Sequence, residues 1–162
     1  MRESWYSAAC VAVGGVAVHA CLASRRRSQT SKLPRLSWQE PSELAVIRMS
    51  GGAPWPAACL ESSFYSVTRA PGETSVVLDA GLASSFNGEE GAEIEKGWTM
   101  FKLEGPLDFS LIGILSKIAT ILAVEGISIF AISTYDTDWV LIKKDKKDAA
   151  TKVLASAGYT WI

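Results

Sequence analysis

The chain has 162 residues, of which 48% are hydrophobic and 20% charged, with 16 Lys and Arg against 17 Asp and Glu. This composition is globular rather than disordered, and the length allows one ordinary domain or two small ones. The near-neutral total hides an asymmetry. Arg2, Arg25, Arg26, Arg27, Lys32 and Arg35 precede Leu36 with only Glu3 to balance them, and from Leu36 onward 10 basic residues face 16 acidic ones, a net of −6. An acidic body lacks the basic patch that phosphate binding requires, which argues against a nucleic-acid partner.

The one histidine, His19, lies near the N-terminus. The rest of the chain therefore has no imidazole for general base work, a Ser-His-Asp triad or a His-ligated metal. Cys10, Cys21 and Cys59 show neither metal-ligand nor redox spacing. These facts weigh against an enzyme and predict no metal and no cofactor.

Ser4 to Ser24 is a run of 21 residues without formal charge, followed at once by Arg25–Arg27. Its length suits a membrane span, with the arginines on the cytoplasmic side. A cleaved leader and a disordered extension fit the same residues, because Ala and Val dominate and Gly14, Gly15 and His19 lie inside the run. Residues 1–35 thus divide into an apolar leader or anchor and a basic linker closed by Pro34. The protein is expected in the cytoplasm, with a membrane contact open through residues 4–24.

In chain order, Glu43–Met49 reads as a half-buried strand, and Trp55–Leu60 is at most a short helix between Gly and Pro residues. Phe64–Thr68 and Thr74–Leu78 form a hairpin around Pro71-Gly72. Leu82–Lys96 reads as a surface connection. Trp98–Leu103 alternates as a strand. Asp108 is a good helix cap, and the apolar positions Leu111, Ile114, Leu115, Ile118, Ile121 and Leu122 predict a helix over 109–125 that ends at Gly126. Ile127–Ile132 is apolar on both faces and predicts a central strand. The polar turn 133–138 leads into its hairpin partner, Trp139–Ile142. Asp145 can cap a second helix that stops at Gly158, and Tyr159–Ile162 can add an edge strand.

The order β-α-β-β-α-β predicts an α+β, ferredoxin-like (βαββαβ) fold, an antiparallel sheet with both helices on one face. Residues 36–97 repeat that order in eroded form. They read as a first, shorter subdomain, with 98–162 as a second, complete one, the two sharing one sheet or packing side by side.

Gly105-Pro106-Leu107, Gly113, Ser133-Thr134-Tyr135, Thr137-Asp138 and Ala157-Gly158-Tyr159 resemble the ACT-domain family. More narrowly, they are similar to the tandem-ACT branch related to the cytosolic arginine sensor of the target-of-rapamycin pathway. The segment FYSVTRAPGETSVVLDA looks like the first, shorter unit of the same family. The resemblance implies a non-catalytic regulatory module that binds an amino acid between two ACT units, as a homodimer through those units. Carried over residue by residue, the ligand contacts fall on Gly113, Ser116, Thr134, Tyr135 and Asp138. The family's acidic helix contact falls on Ser116, which is neutral, so one carboxylate partner for a cationic side chain is missing.

The chemistry is coherent by itself. Asp138 can pair with a ligand ammonium, amides at the helix start can take a carboxylate, and Gly113 permits close approach. Tyr135 can cover an aliphatic or cationic side chain. Blander roles fit too: Asp138 as a hairpin-turn cap, Gly113 as a packing residue, Tyr135 as core rim. A second function class, a structural domain that docks a larger enzyme without a ligand, stays open.

Overall fold

A computed structural model describes residues 33–89 and 91–162. The apolar run 4–24 and the arginine cluster lie outside the described residues. No helix among the described residues is long and apolar enough to cross a membrane.

Among the described residues, seven strands form one sheet: β1 (Leu36–Trp38), β2 (Leu44–Ser50), β3 (Ser66–Ala70), β4 (Glu73–Asp79), β5 (Glu93–Leu103), β6 (Phe130–Ser133) and β7 (Asp138–Lys143). Their order is β3-β4-β2-β5-β7-β6, with β1 added to the end of β5, and every pairing between these strands is antiparallel. Two helices follow, α1 (Ile114–Val124) and α2 (Lys147–Ser156), and short 3-10 helices occupy Ala57–Glu61 and Ala80–Phe86.

β5 is the shared element. Its first part pairs with β2 from Glu93 to Trp98, and its second part pairs with β7 from Trp98 to Lys102. The register on β2 shifts between Leu44 and Val46, where the strand passes from one half of the sheet to the other. β2, β3 and β4 therefore use the start of β5 as a fourth strand, while β5, β7 and β6 use β1. The connection expected over 82–96 splits accordingly: Ala80–Phe86 is helical, and the strand begins at Glu93.

Alternation of side chains sorts the core into two faces. On one face Phe101, Leu103, Val140 and Ile142 pack against Ile118 and Leu122 of α1 and Ala150 and Leu154 of α2. Further along the same face, Ala45, Ile47, Met49, Val76 and Leu78 pack against Cys59, Ala83 and Phe86 of the short helices. Both long helices thus cover one face, as expected from the element order. The other face gathers Leu44, Val77, Met100 and Leu141, with Phe64, Trp98, Phe130, Ile132 and Trp139 around them. Phe64 and Trp139 bring their ring centroids within 4.9 Å. Ser66 and Thr68 of β3 and Phe130 and Ile132 of β6 line a common cleft of about 230 Å³. The sheet therefore curls until its two outer strands face each other.

Four local expectations are corrected. First, α1 begins at Ile114, five residues later than the periodicity predicts. Asp108 does not cap it. Its Oδ1 accepts the Ser110 N–H at 2.8 Å, and its carbonyl accepts the Leu111 N–H, so it closes a separate tight turn. Gly113, at φ 78°, then interrupts the chain with a backbone conformation that no helix contains. Second, α2 starts at Lys147 without a side-chain cap, because Asp145 is taken up in the 3-10 turn Lys144–Lys146.

Third, the apolar run Ile127–Ile132 is not a central strand. β6 is the outer strand at its end of the sheet. Ile127 turns into the helix-covered core, Phe130 and Ile132 face the opposite side, and Ala131 is exposed. Fourth, Tyr159–Ile162 does not form a strand. It makes one parallel bridge, Trp161 to Leu36, held by the Leu36 N–H to the Thr160 carbonyl at 2.8 Å and the Ile162 N–H to the Leu36 carbonyl at 2.9 Å. The strand at that place is β1, which sequence reading left in the linker's wake because three residues carry no measurable alternation.

Candidate functional site

The site begins where β5 ends. Gly105 sits against the turn between β6 and β7, so close that a Cβ on it would lie 2.5 Å from the Asp136 carbonyl oxygen. That same carbonyl accepts the Leu107 N–H at 2.8 Å. The turn itself is fixed from inside. Thr137 is buried, and its hydroxyl donates to the Leu103 carbonyl. Thr134 donates both its N–H and its hydroxyl to the Thr137 carbonyl, each at 2.8 Å. The loop 105–113 and the turn 134–137 are therefore two walls joined at the end of β5.

Between these walls and the first turn of α1 lies a cavity of about 400 Å³. Gly113, Ser116, Thr134, Tyr135 and Asp138, the five residues that the resemblance singles out, all line it. Gly113 precedes the helix rather than lying in it, and a Cβ there would meet nothing within 4 Å. Its requirement for glycine is thus conformational, through its positive φ, and not a matter of close approach. Ser116 is exposed on the first turn of α1. Tyr135 is 80% exposed, which removes the reading of it as core rim. Asp138 opens β7 and accepts the Ser133 hydroxyl on Oδ1 at 2.6 Å.

The cavity also contains residues that sequence reading missed. Asp108 lines it, because the displaced helix start leaves this residue in the loop. Hydrogen bonds from Ser110 hold its carboxyl below the usual carboxylate range. Phe109 lines the cavity as well, and its ring meets that of Tyr135 edge to face, with centroids 5.2 Å apart at 81°. The available signal was Gly113 itself: a glycine five residues after a candidate cap, with the apolar period carrying on through it, is a reason to start the helix later.

Three chemical features meet here. The N–H groups of Ile114, Leu115 and Ser116 open α1 and have no carbonyl four residues earlier in the helix to bond. Asp108 and Asp138 supply two carboxylates, and among the described residues no Lys or Arg lines the cavity. Phe109 and Tyr135 line the cavity with apolar rings that are 77% and 80% exposed, and Ile112 in the same loop is 76% exposed.

Gly105→Ala is a direct probe of this geometry. The added methyl has to push the loop from a backbone carbonyl, so we expect a loss of about 1–3 kcal/mol in chemical denaturation. Unchanged stability would mean that the loop and turn are free to separate.

Residues 93–156 match the ACT domain family. Over 95 residues the chain is 32% identical to the cytosolic arginine sensor for mTORC1 subunit 1 of Homo sapiens and of Bos taurus. These alignments cover 57% of this chain and 29% of those proteins, so the chain matches less than a third of their length. Among solved structures, a protein of Agrobacterium tumefaciens is similar at 26% identity and a TM-score of 0.71, over 82% of this chain and 94% of that one. The regulatory subunit of aspartate kinase from Thermus flavus shares the fold at 11% identity and a TM-score of 0.57, over 77% and 97%. Residues 93–156 are therefore similar to the ACT domain family, and the chain that carries them has an α+β fold and resembles the cytosolic arginine sensor subunit over part of its length.

Proposed function

We propose that the cavity at the start of α1 binds a free amino acid and that the chain is a non-catalytic regulatory module working in the cytoplasm. The observation that carries this reading is the pairing of complementary groups in one cavity: free helix amides for a carboxylate, and Asp108 and Asp138 for cations. Helix N-termini favour anions through aligned N–H groups and the helix dipole. Asp138 would hold the α-ammonium by a charge-assisted bond. Asp108 then supplies the second carboxylate that the neutral Ser116 does not. The favoured ligand is accordingly an amino acid with a cationic side chain, and a relative named as an arginine sensor supports that class.

The chain would comprise a first, shorter ACT-like unit over 36–97 and a second over 98–162, with β5 crossing between them. A second copy seated on Phe109, Ile112 and Tyr135 would cover the apolar rim and close the cavity at an ACT–ACT interface. The same rim supports a second reading, ligand-independent docking of a larger enzyme.

Calorimetric titration with the twenty amino acids at millimolar concentration separates the two. We expect arginine or lysine to give heat and to raise the melting temperature, and light scattering to show a dimer in its presence. No heat and no thermal shift with any of them would overturn the sensing reading. A stable partner recovered without ligand would support docking.

A further inference from the structure

A second cavity, of about 310 Å³, lies on another side of α1, between that helix and the turn after α2. Leu33, Ile121 and Ala157 give it apolar walls. Two other features set it apart from an ordinary surface groove. Tyr159 lines it, is 4% exposed, and has a buried hydroxyl with no hydrogen-bond partner among the described residues. Lys117 is the one charged residue among those lining it, and its ammonium makes no ion pair among the described residues.

A buried hydroxyl left unpaired is costly, and native structures rarely keep one without a reason. An acceptor in the groove would relieve that cost. Burial raises the Tyr159 pKa, so the phenol stays protonated and has its proton to donate. Lys117 adds a cation beside it. The apolar walls require the rest of the ligand to be hydrocarbon.

We propose that this groove is a second ligand site that takes an amphipathic monocarboxylate, its chain on Leu33, Ile121 and Ala157 and its acid group on Lys117 and the Tyr159 hydroxyl. Ser116 lines both cavities, so the test has to tell them apart.

The probe is sodium octanoate, titrated calorimetrically into the full 162-residue chain, with 1-octanol as the neutral analogue. Octanoate is expected to bind at least tenfold more tightly than octanol. Tyr159→Phe should weaken octanoate about tenfold or more, the loss of one hydrogen bond to a charged group. Its melting temperature should stay the same or rise, because the variant removes an unpaired hydroxyl and keeps the ring. Lys117→Gln changes an exposed residue and should weaken octanoate roughly two- to fivefold, as for an exposed ion pair. Asp138→Asn should leave octanoate affinity unchanged. The proposal is overturned if octanoate gives no heat, if octanol binds equally well, or if Tyr159→Phe binds octanoate like the parent. It is also overturned if Asp138→Asn binds octanoate markedly more tightly, because removing a like charge would do so only if the acid sat in the first cavity.

Discussion

Asp138→Ala should weaken amino-acid binding strongly while the fold survives. Removing the acceptor of a charge-assisted bond costs about 1.5–3 kcal/mol, a roughly 10- to 150-fold weaker complex. The structural loss is smaller. The carboxylate is half-buried at the mouth of the β6–β7 hairpin, and the bond it accepts from Ser133 is worth about 1 kcal/mol. The turn keeps its other supports, the Thr137 hydroxyl on the Leu103 carbonyl and the two Thr134 bonds to the Thr137 carbonyl. The melting temperature should therefore move by only a few degrees. Ser133→Ala provides the contrast: it removes the same hydrogen bond and keeps the carboxylate, so it should bind normally. If Ser133→Ala and Asp138→Ala lose stability together and binding tracks unfolding, Asp138 is a turn cap and nothing more.

Asp108→Asn probes selectivity rather than affinity alone. It should reduce the preference for a cationic over a neutral side chain and leave the common amino-acid contacts in place. The pH dependence has a definite sign. The Asp108 carboxyl sits below its ordinary range, so it is charged throughout the neutral region and is protonated only as pH falls through that lowered value. The preference for a cationic side chain that Asp108 confers should be flat around neutrality and be lost only in acid, below the usual carboxylate range of about 4.

Much of this was legible in the chain, and the failures have physical causes. The strands β2, β4 and β7 and the second half of β5 read correctly because each is half or fully buried and alternation or an apolar run marks it, whereas the more exposed start of β5 from Glu93 read as a connection. The five site residues came from the resemblance to ACT domains rather than from periodicity, and the fold groups them around one cavity. The helix start did not read correctly, since Asp108 suits an isolated tight turn as well as a cap, and the same side-chain oxygen serves both. That error hid Asp108 and Phe109 from the site. β6 misled for another reason. Its apolar run serves two cores in succession, Ile127 in the helix-covered core and Phe130 and Ile132 inside the curl, and a run of that kind imitates a strand buried on both sides. β1 was invisible because its partner, β5, lies more than sixty residues away and only the fold brings them together.

Phe101→Ala should be the most damaging single change, and the reason is where its ring sits. Phe101 is fully buried on β5 and meets Trp38 and Trp161 edge to face, each with centroids 5.4 Å apart. Those two indoles stack on one another at 4.9 Å and 5°. The ring thus holds β1 and the C-terminal residues on the sheet, where three residues of strand and one bridge supply few hydrogen bonds of their own. Truncating a buried Phe costs about 3–5 kcal/mol. A whole domain has only about 5–15 kcal/mol in hand, so urea denaturation should show a large shift of midpoint, with β1 and the C-terminus losing hydrogen-exchange protection first. A cost below about 2 kcal/mol would mean that the two tryptophans close over the gap. The effect should reach the site as well, more weakly. Leu103, two residues on, accepts the Thr137 hydroxyl that anchors the ligand turn, so a looser end of β5 should lower ligand affinity even at temperatures where the variant is folded.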